Sequence, residues 1–151
     1  MSIIFKEGGI ELIDEIQETW EALNLHHQEK SVYFKERFKK FTFFERRELL
    51  TSKAKNGEIF VIIAFSNDER VGHCVSSIDN KRDGEIETLF IKKKFRKTGL
   101  GKILMEKSLS WFSSKQIENI NIMVASGNEE VLTFYKKYGF EIAGIKLKKT
   151  D

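Results

Sequence analysis

Apolar positions recur along this chain with two different periods, and the order in which those periods alternate predicts most of the fold. Ser2 to Lys6 is a short β-like run, broken by Gly8-Gly9. Ile13, Ile16, Trp20, Leu23 and His27 then repeat at three and four residues, which predicts one stripe on an amphipathic helix of about 18 residues. Ser31 to Ser52 is a second helical region, with Phe34, Phe38 and Phe41 at helical spacing. Within it, Thr42-Phe43-Phe44-Glu45 has the spacing of a capping box, so a short helix restarts there. From Gly57 the period becomes that of a strand. Gly57 to Phe65 and Val71 to Ile78 are β-branched runs joined by the polar turn Ser66 to Arg70, which reads as a hairpin. A polar turn from Asp79 to Gly84 leads into a third run, Glu85 to Ile91.

The helical period returns from Lys102 to about Ser114, with Met105, Leu109 and Phe112 on one face, and Ile120 to Ala125 is the next strand. A strand, a helix and another strand in that order form a crossover, so the two strands are parallel and the connection right-handed. Val131, Phe134, Tyr135 and Tyr138 form a further helical stripe that Gly139 terminates, and a final strand is expected within Glu141 to Lys148. The fold class is therefore α/β in the broad sense (α+β). Its sheet is mixed and mostly antiparallel, with one parallel β-α-β crossover and about four flanking helices.

Composition narrows the class without changing the picture. A chain of 151 residues is the size of one domain and buries about two-thirds of its unfolded surface, so a single domain spanning 1–151 is expected. Hydrophobic content of 40% and charged content of 32% describe an ordinary globular protein. There is no proline, and no Gly/Ser-rich stretch marks a linker. The longest apolar run near the N-terminus, Ile3 to Phe5, is too short for a signal peptide or a membrane span, which points to the cytoplasm and away from membranes. The lone Cys74 lies in an apolar run and reads as a small core residue; no zinc-ligand spacing exists and no metal is expected. Glu11, Asp14, Glu15, Glu18 and Glu21 form a solvated acidic face or, in the sharper reading, a guide for a cationic amine.

The densest chemistry lies in EIETLFIKKKFRKTGLGK, Glu85 to Lys102. Here a strand passes through a basic turn into a helix, with Gly99, Leu100 and Gly101 at the handover. Helix N-termini carry unpaired N–H groups and the positive end of the dipole, and glycines let an anion approach them, so this turn is a phosphate seat. Lys92, Lys93, Lys94, Arg96, Lys97 and Lys102 concentrate positive charge around it. A Walker A loop would need glycine where Arg96 stands, and a dinucleotide fingerprint would need glycine where Leu104 stands. Nucleic acid fits less well, because net charge is only +3, the glycine turn would have no role, and aromatic interleaving is limited to Phe90 and Phe95.

The R-x-x-G-x-G of Arg96 to Gly101 resembles the pyrophosphate motif of the GNAT superfamily of N-acetyltransferases. The block NEEVLTFYKKYGF, Asn128 to Phe140, is similar to that superfamily's asparagine, tyrosine and Gly-Phe signature. The resemblance covers the chain from about Gly57 onward, and the earlier residues fit by helix placement. It implies acetyl-CoA as cosubstrate, with Arg96, Lys97, Thr98, Gly99, Leu100, Gly101 and Lys102 at its pyrophosphate. It also implies that the backbone of Phe90 and Ile91 pairs with the pantetheine arm, helped by Asn128. In the same comparison the first helical pair covers the acceptor end, so His26, Tyr33, Phe34 and His27 lie in the region that chooses the substrate; on pattern alone His27 is a boundary residue and His26 a solvated one.

Acetyl transfer from a thioester to an amine requires loss of an ammonium proton, steadying of an oxyanion and protonation of the departing thiolate. Glu87 and Glu85 point to one face of a strand and are the candidate bases, although either can instead cap a solvated strand end. The resemblance assigns the acid to Tyr135, which also sits on an apolar stripe where a core tyrosine would stand. The expected activity is transfer of acetyl from acetyl-CoA to a primary amine, on a small molecule or a peptide, in a ternary complex. The second reading is a catalytically inactive CoA-binding module that regulates or binds a partner. Room for only one strand after Phe140 means either a shortened sheet or an edge completed by a second copy, and because an uncovered edge favours pairing a homodimer is expected.

Overall fold

The computed structural model describes residues 2–150. Those residues divide into two compact units, one reaching to Leu23 and resuming from Thr42 to Met123, the other comprising Asn24–Phe41 and the chain after Met123.

The first unit is built on one sheet of five strands in sequence order: β1 (Ile4–Gly8), β2 (Glu58–Ser66), β3 (Glu69–Ile78), β4 (Gly84–Ile91) and β5 (Ile120–Ile122). The first three pairings are antiparallel, and β4 with β5 is parallel, as the crossover requires. Asn67 and Asp68 both take positive φ in the tight turn between β2 and β3, a conformation their short polar side chains tolerate. Both sheet faces are covered. Ile62 and Ala64 pack with Leu100, Leu104 and Phe112 of α4 (Leu100–Ser114), and the alternate residues Val61 and Ile63 are equally buried on the other face. Burial on two sides is why β2 reads as a continuous apolar run.

A 3-10 stretch, Ile10–Ile16, precedes α1 (Gln17–Lys30), so the predicted first helix is tighter over its opening turns while still burying Ile13, Ile16 and Trp20. The second helical region is two helices, α2 (Lys35–Lys40) and α3 (Phe43–Asn56). The capping box at the start of α3 forms reciprocally: Glu45 N donates to Thr42 Oγ1 at 3.1 Å and Thr42 N to Glu45 Oε1 at 3.4 Å.

Three expectations are corrected. β5 stops at Ile122 rather than Ala125, because its ladder with β4 ends at Ile86, next to a bulge. Residues 141–150 form no strand: Ile142, Ile145 and Leu147 are 57%, 81% and 89% exposed, so no buried face offsets the entropy of ordering them. The helix expected over Val131 to Tyr138 is a 3-10 turn, Glu129–Val131, followed by α5 (Leu132–Lys136), and Gly139 closes it at φ 89°. Among the described residues, no helix is long and apolar enough to cross a membrane.

Candidate functional site

In the first unit the distinctive element is the β4 bulge. Val75 pairs with Thr88 but Ser76 with Ile86, which leaves Glu87 as the extra residue. The inserted residue puts Glu87 and Thr88 on the same face and turns Leu89 and Ile91 toward the α4 side, where they pack against the core. Because β5 pairs only as far as Ile86, no strand among the described residues lines the outer edge of β4 from Glu87 to Ile91. Phe90 and Ile91, the predicted pantetheine strand, lie on that edge.

Beyond β4 the chain makes a 3-10 turn, Lys93–Phe95, and enters α4 through Gly99. Arg96 Nε donates to the Ile91 carbonyl at 2.8 Å, with its guanidinium 5.4 Å from the Phe90 ring centre, and Thr98 Oγ1 donates to the Phe95 carbonyl at 2.6 Å. Gly99 has φ 89°, and a Cβ built there meets nothing within 4 Å, so the space at that position is clear. The N–H groups of Leu100, Gly101 and Lys102 lack intrahelical acceptors by construction, and α4 has neither a capping side chain nor an acidic residue in its first turn. A positive helix terminus with clear space at its entry residue is an anion site.

The basic cluster is smaller than the sequence implied. Lys92 is bound by Glu18 at 2.5 Å and Glu69 at 3.2 Å, and Lys94 by Glu69 at 3.6 Å. These contacts raise the Lys92 pKa, chiefly through Glu18, and lower that of Glu69, chiefly through Lys92. Arg96, Lys97 and Lys102 remain beside the turn, with Lys102 loosely paired to Glu106 at 3.8 Å. Of the acidic residues on the first helix, Asp14 binds Arg47, Glu15 binds Lys6 and Arg70, and Glu18 binds Lys92, while Glu11, Asp14, Glu18 and Glu21 stay exposed as a solvated face.

The two candidate bases differ sharply. Glu85 is half-exposed and lies 3.5 Å from Lys53. The Glu87 side chain is 1% exposed; it accepts from Arg46 Nη2 at 3.1 Å, from Ser77 Oγ at 2.6 Å and from Lys53 Nζ. Arg46 also donates to the Glu87 carbonyl at 2.8 Å. Nearby, His73 is fully buried between Thr19 Oγ1 at 2.6 Å and Thr88 Oγ1 at 2.9 Å. Burial, aided by the Arg46 charge, pushes its pKa down from 6.5 to about 3, which keeps the ring neutral. Sequence reading missed Arg46, Lys53, Ser77 and His73; the alternation Val71, His73, Val75 on one strand face was the signal available for His73. Cys74 is buried 3.1 Å from Ser108 Oγ, and burial pushes its thiol up to about 11. Among the described residues, no cluster of potential metal ligands occurs.

In the second unit, Asn128 does not cap its helix with its side chain. Its Oδ1 instead lies 3.2 Å from His26 Nε2, which is also 3.6 Å from Glu130. Gly127, at φ 96°, permits this approach, since a Cβ there would lie 2.3 Å from the Lys30 carbonyl. His27 packs 5.2 Å from the Phe38 ring, and burial lowers its pKa from 6.5 to about 4. Tyr135 is half-buried, edge-on to Phe134 at 5.4 Å and to Phe140 at 6.3 Å. Tyr33 is exposed, and Phe34 carries Arg37 over its ring at 5.4 Å.

The sequence matches the model of the "Acetyltransferase (GNAT) family" over residues 12–140. It is 33% identical over 89 residues to the probable N-acetyltransferase san of Drosophila melanogaster, a match covering 56% of this chain and 48% of that protein. The matched stretches span less than half the length of the curated relatives. In fold it is similar to a GCN5-related N-acetyltransferase from Ralstonia eutropha JMP134, with TM-score 0.76, 14% identity and 98% of each chain covered. It is also similar to PaiA N-acetyltransferase from Thermoplasma acidophilum in complex with coenzyme A, with TM-score 0.71, 20% identity, and 97% of this chain and 94% of that chain covered.

Proposed function

Since this chain belongs to the GNAT acetyltransferase family, we propose that it transfers an acetyl group from acetyl-CoA to a primary amine on a small molecule or peptide. The observation that carries this reading is the α4 terminus at Gly99: a left-handed glycine, clear space at that position and three N–H groups without a cap. The residues present fit a CoA pyrophosphate. The amides of Leu100, Gly101 and Lys102 would hold it, with Arg96, Lys97 and Lys102 supplying charge and Thr98 fixing the turn through the Phe95 carbonyl. Bound there, acetyl-CoA supplies an activated acyl group as a thioester. An extended amide arm would run, as an added strand does, along the edge of β4 beside Phe90 and Ile91, which β5 does not reach.

Of the two carboxylates, Glu85 has the freer oxygens and takes the base role, directly or through water, while Glu87 holds the cationic end of the acceptor. The Asn128 to Phe140 block supports Tyr135 as the acid that would give its Oη proton to the departing sulfur and Asn128, beside His26, as a contact for the amide arm. Thiol release from acetyl-CoA over a panel of primary amines tests the reading. Turnover with at least one amine is expected. Binding of acetyl-CoA with no release across the panel would instead favour the non-catalytic CoA-binding module.

A further inference from the structure

Glu87 is a buried charge with two unlike cations upon it. Arg46 donates from Nη2 to both the Glu87 carbonyl and its Oε1, and its side chain is 17% exposed. A planar guanidinium is pre-organised and loses little freedom in making such bonds. Lys53 is different. It reaches from the last turn of α3, its side chain is 40% exposed, and a single ammonium joins Glu87 Oε2 to Glu85 Oε1. A lysine stem is flexible, and its strongly hydrated head can turn out into water. Were it simply to leave, a buried carboxylate would lose a partner, which is strongly unfavourable. Were another ammonium to take its place, the charge pairing would be conserved and the exchange nearly neutral.

We propose that Lys53 is an internal stand-in for the acceptor, occupying an ammonium seat formed by Glu87 and Glu85 until a primary alkylammonium displaces it. The seat selects by donor count. A primary ammonium offers three N–H groups to oxygens on two carboxylates, whereas a quaternary ammonium offers none. Lys53 thereby sets acceptor affinity, because the apparent affinity of any amine is reduced by the fraction of molecules in which the seat is already filled. What happens to a seated amine rests on the acetyltransferase reading, but the seat itself stands on side-chain geometry within one unit.

The test is titration of wild type and Lys53→Met with n-butylammonium, and with tetramethylammonium as control, followed by ligand-observed NMR. Lys53→Met is expected to bind n-butylammonium at least about tenfold more tightly, because a seat that Lys53 fills in nearly all molecules becomes open. No gain is expected for tetramethylammonium, or for n-butylammonium when Glu87→Gln is added. Equal or weaker n-butylammonium binding by Lys53→Met, or an equal gain for the quaternary ion, overturns the proposal. Should Lys53→Met fail to fold, 15Nζ-labelled wild type serves instead: n-butylammonium must move the Lys53 resonance toward those of exposed lysines, and an unmoved resonance refutes displacement. The two readings fail separately. A tighter amine site without thiol release would retain the seat and sink the transferase, and thiol release with unaltered amine binding in Lys53→Met would do the reverse.

Discussion

His73 ties the stability of the sheet to pH in a way that can be worked through. The ring is fully buried, bonded at both nitrogens, and its pKa falls from 6.5 to about 3. A depressed pKa means that the unfolded chain takes up the proton first. Stability is therefore lost as pH falls below 6.5, and the loss continues until about pH 3. At about pH 5.5 the unfolded histidine is roughly nine-tenths protonated and the folded one neutral, which amounts to about 1.4 kcal/mol of lost stability against about 0.1 kcal/mol at about pH 7.5. Urea unfolding at those two pH values should show His73→Gln to be less stable than wild type at the upper value, because Thr19 and Thr88 lose good partners. Its decline on acidification should nevertheless be smaller than that of wild type by about 1.3 kcal/mol, since His27 and the carboxylates contribute alike to both proteins. Equal declines in the two proteins would refute the buried neutral histidine.

Tyr135→Phe should lower kcat on the order of a hundredfold while leaving acetyl-CoA affinity unchanged by calorimetry, and unchanged kcat would remove the acid role. Thr42→Ala removes the side-chain half of the capping box at α3, while the residue 42 backbone N–H can still donate to Glu45 Oε1, and should cost about 1 kcal/mol in urea unfolding, since a cap is worth roughly that much. Cys74, buried with its thiol pushed up to about 11, should resist iodoacetamide at about pH 8 in the folded protein and react once unfolded; rapid labelling of native protein would contradict its burial.

What was legible in the sequence was whatever depends on near neighbours. The β2–β3 hairpin, the α3 capping box, the β4–α4–β5 crossover and the glycine entry to α4 all follow from local periodicity and turn chemistry, and all are present. The bulge at Glu87 was not legible, because a register shift exists only relative to β3. Simple alternation placed Glu85 and Glu87 on one face correctly and then failed from Thr88 onward. The basic cluster was overcounted for the same kind of reason: Glu18 and Glu69, which neutralise Lys92 and Lys94, are distant in the chain and near in the fold. The clamp of Arg46, Lys53 and Ser77 on Glu87 likewise joins three elements, so no spacing rule announces it. The tail after Phe140 shows the converse error, since apolar residues there have no buried face to occupy.

The anion seat at Gly99 carries the proposed function, and one titration addresses it directly. Acetyl-CoA should bind wild type with one-to-one stoichiometry by isothermal calorimetry. Gly99→Val, which places a β-branched residue at φ 89° and a side chain in the clear space at that position, should show no heat while retaining its far-ultraviolet dichroism. Undiminished binding in folded Gly99→Val, or no binding by wild type, would contradict the central claim.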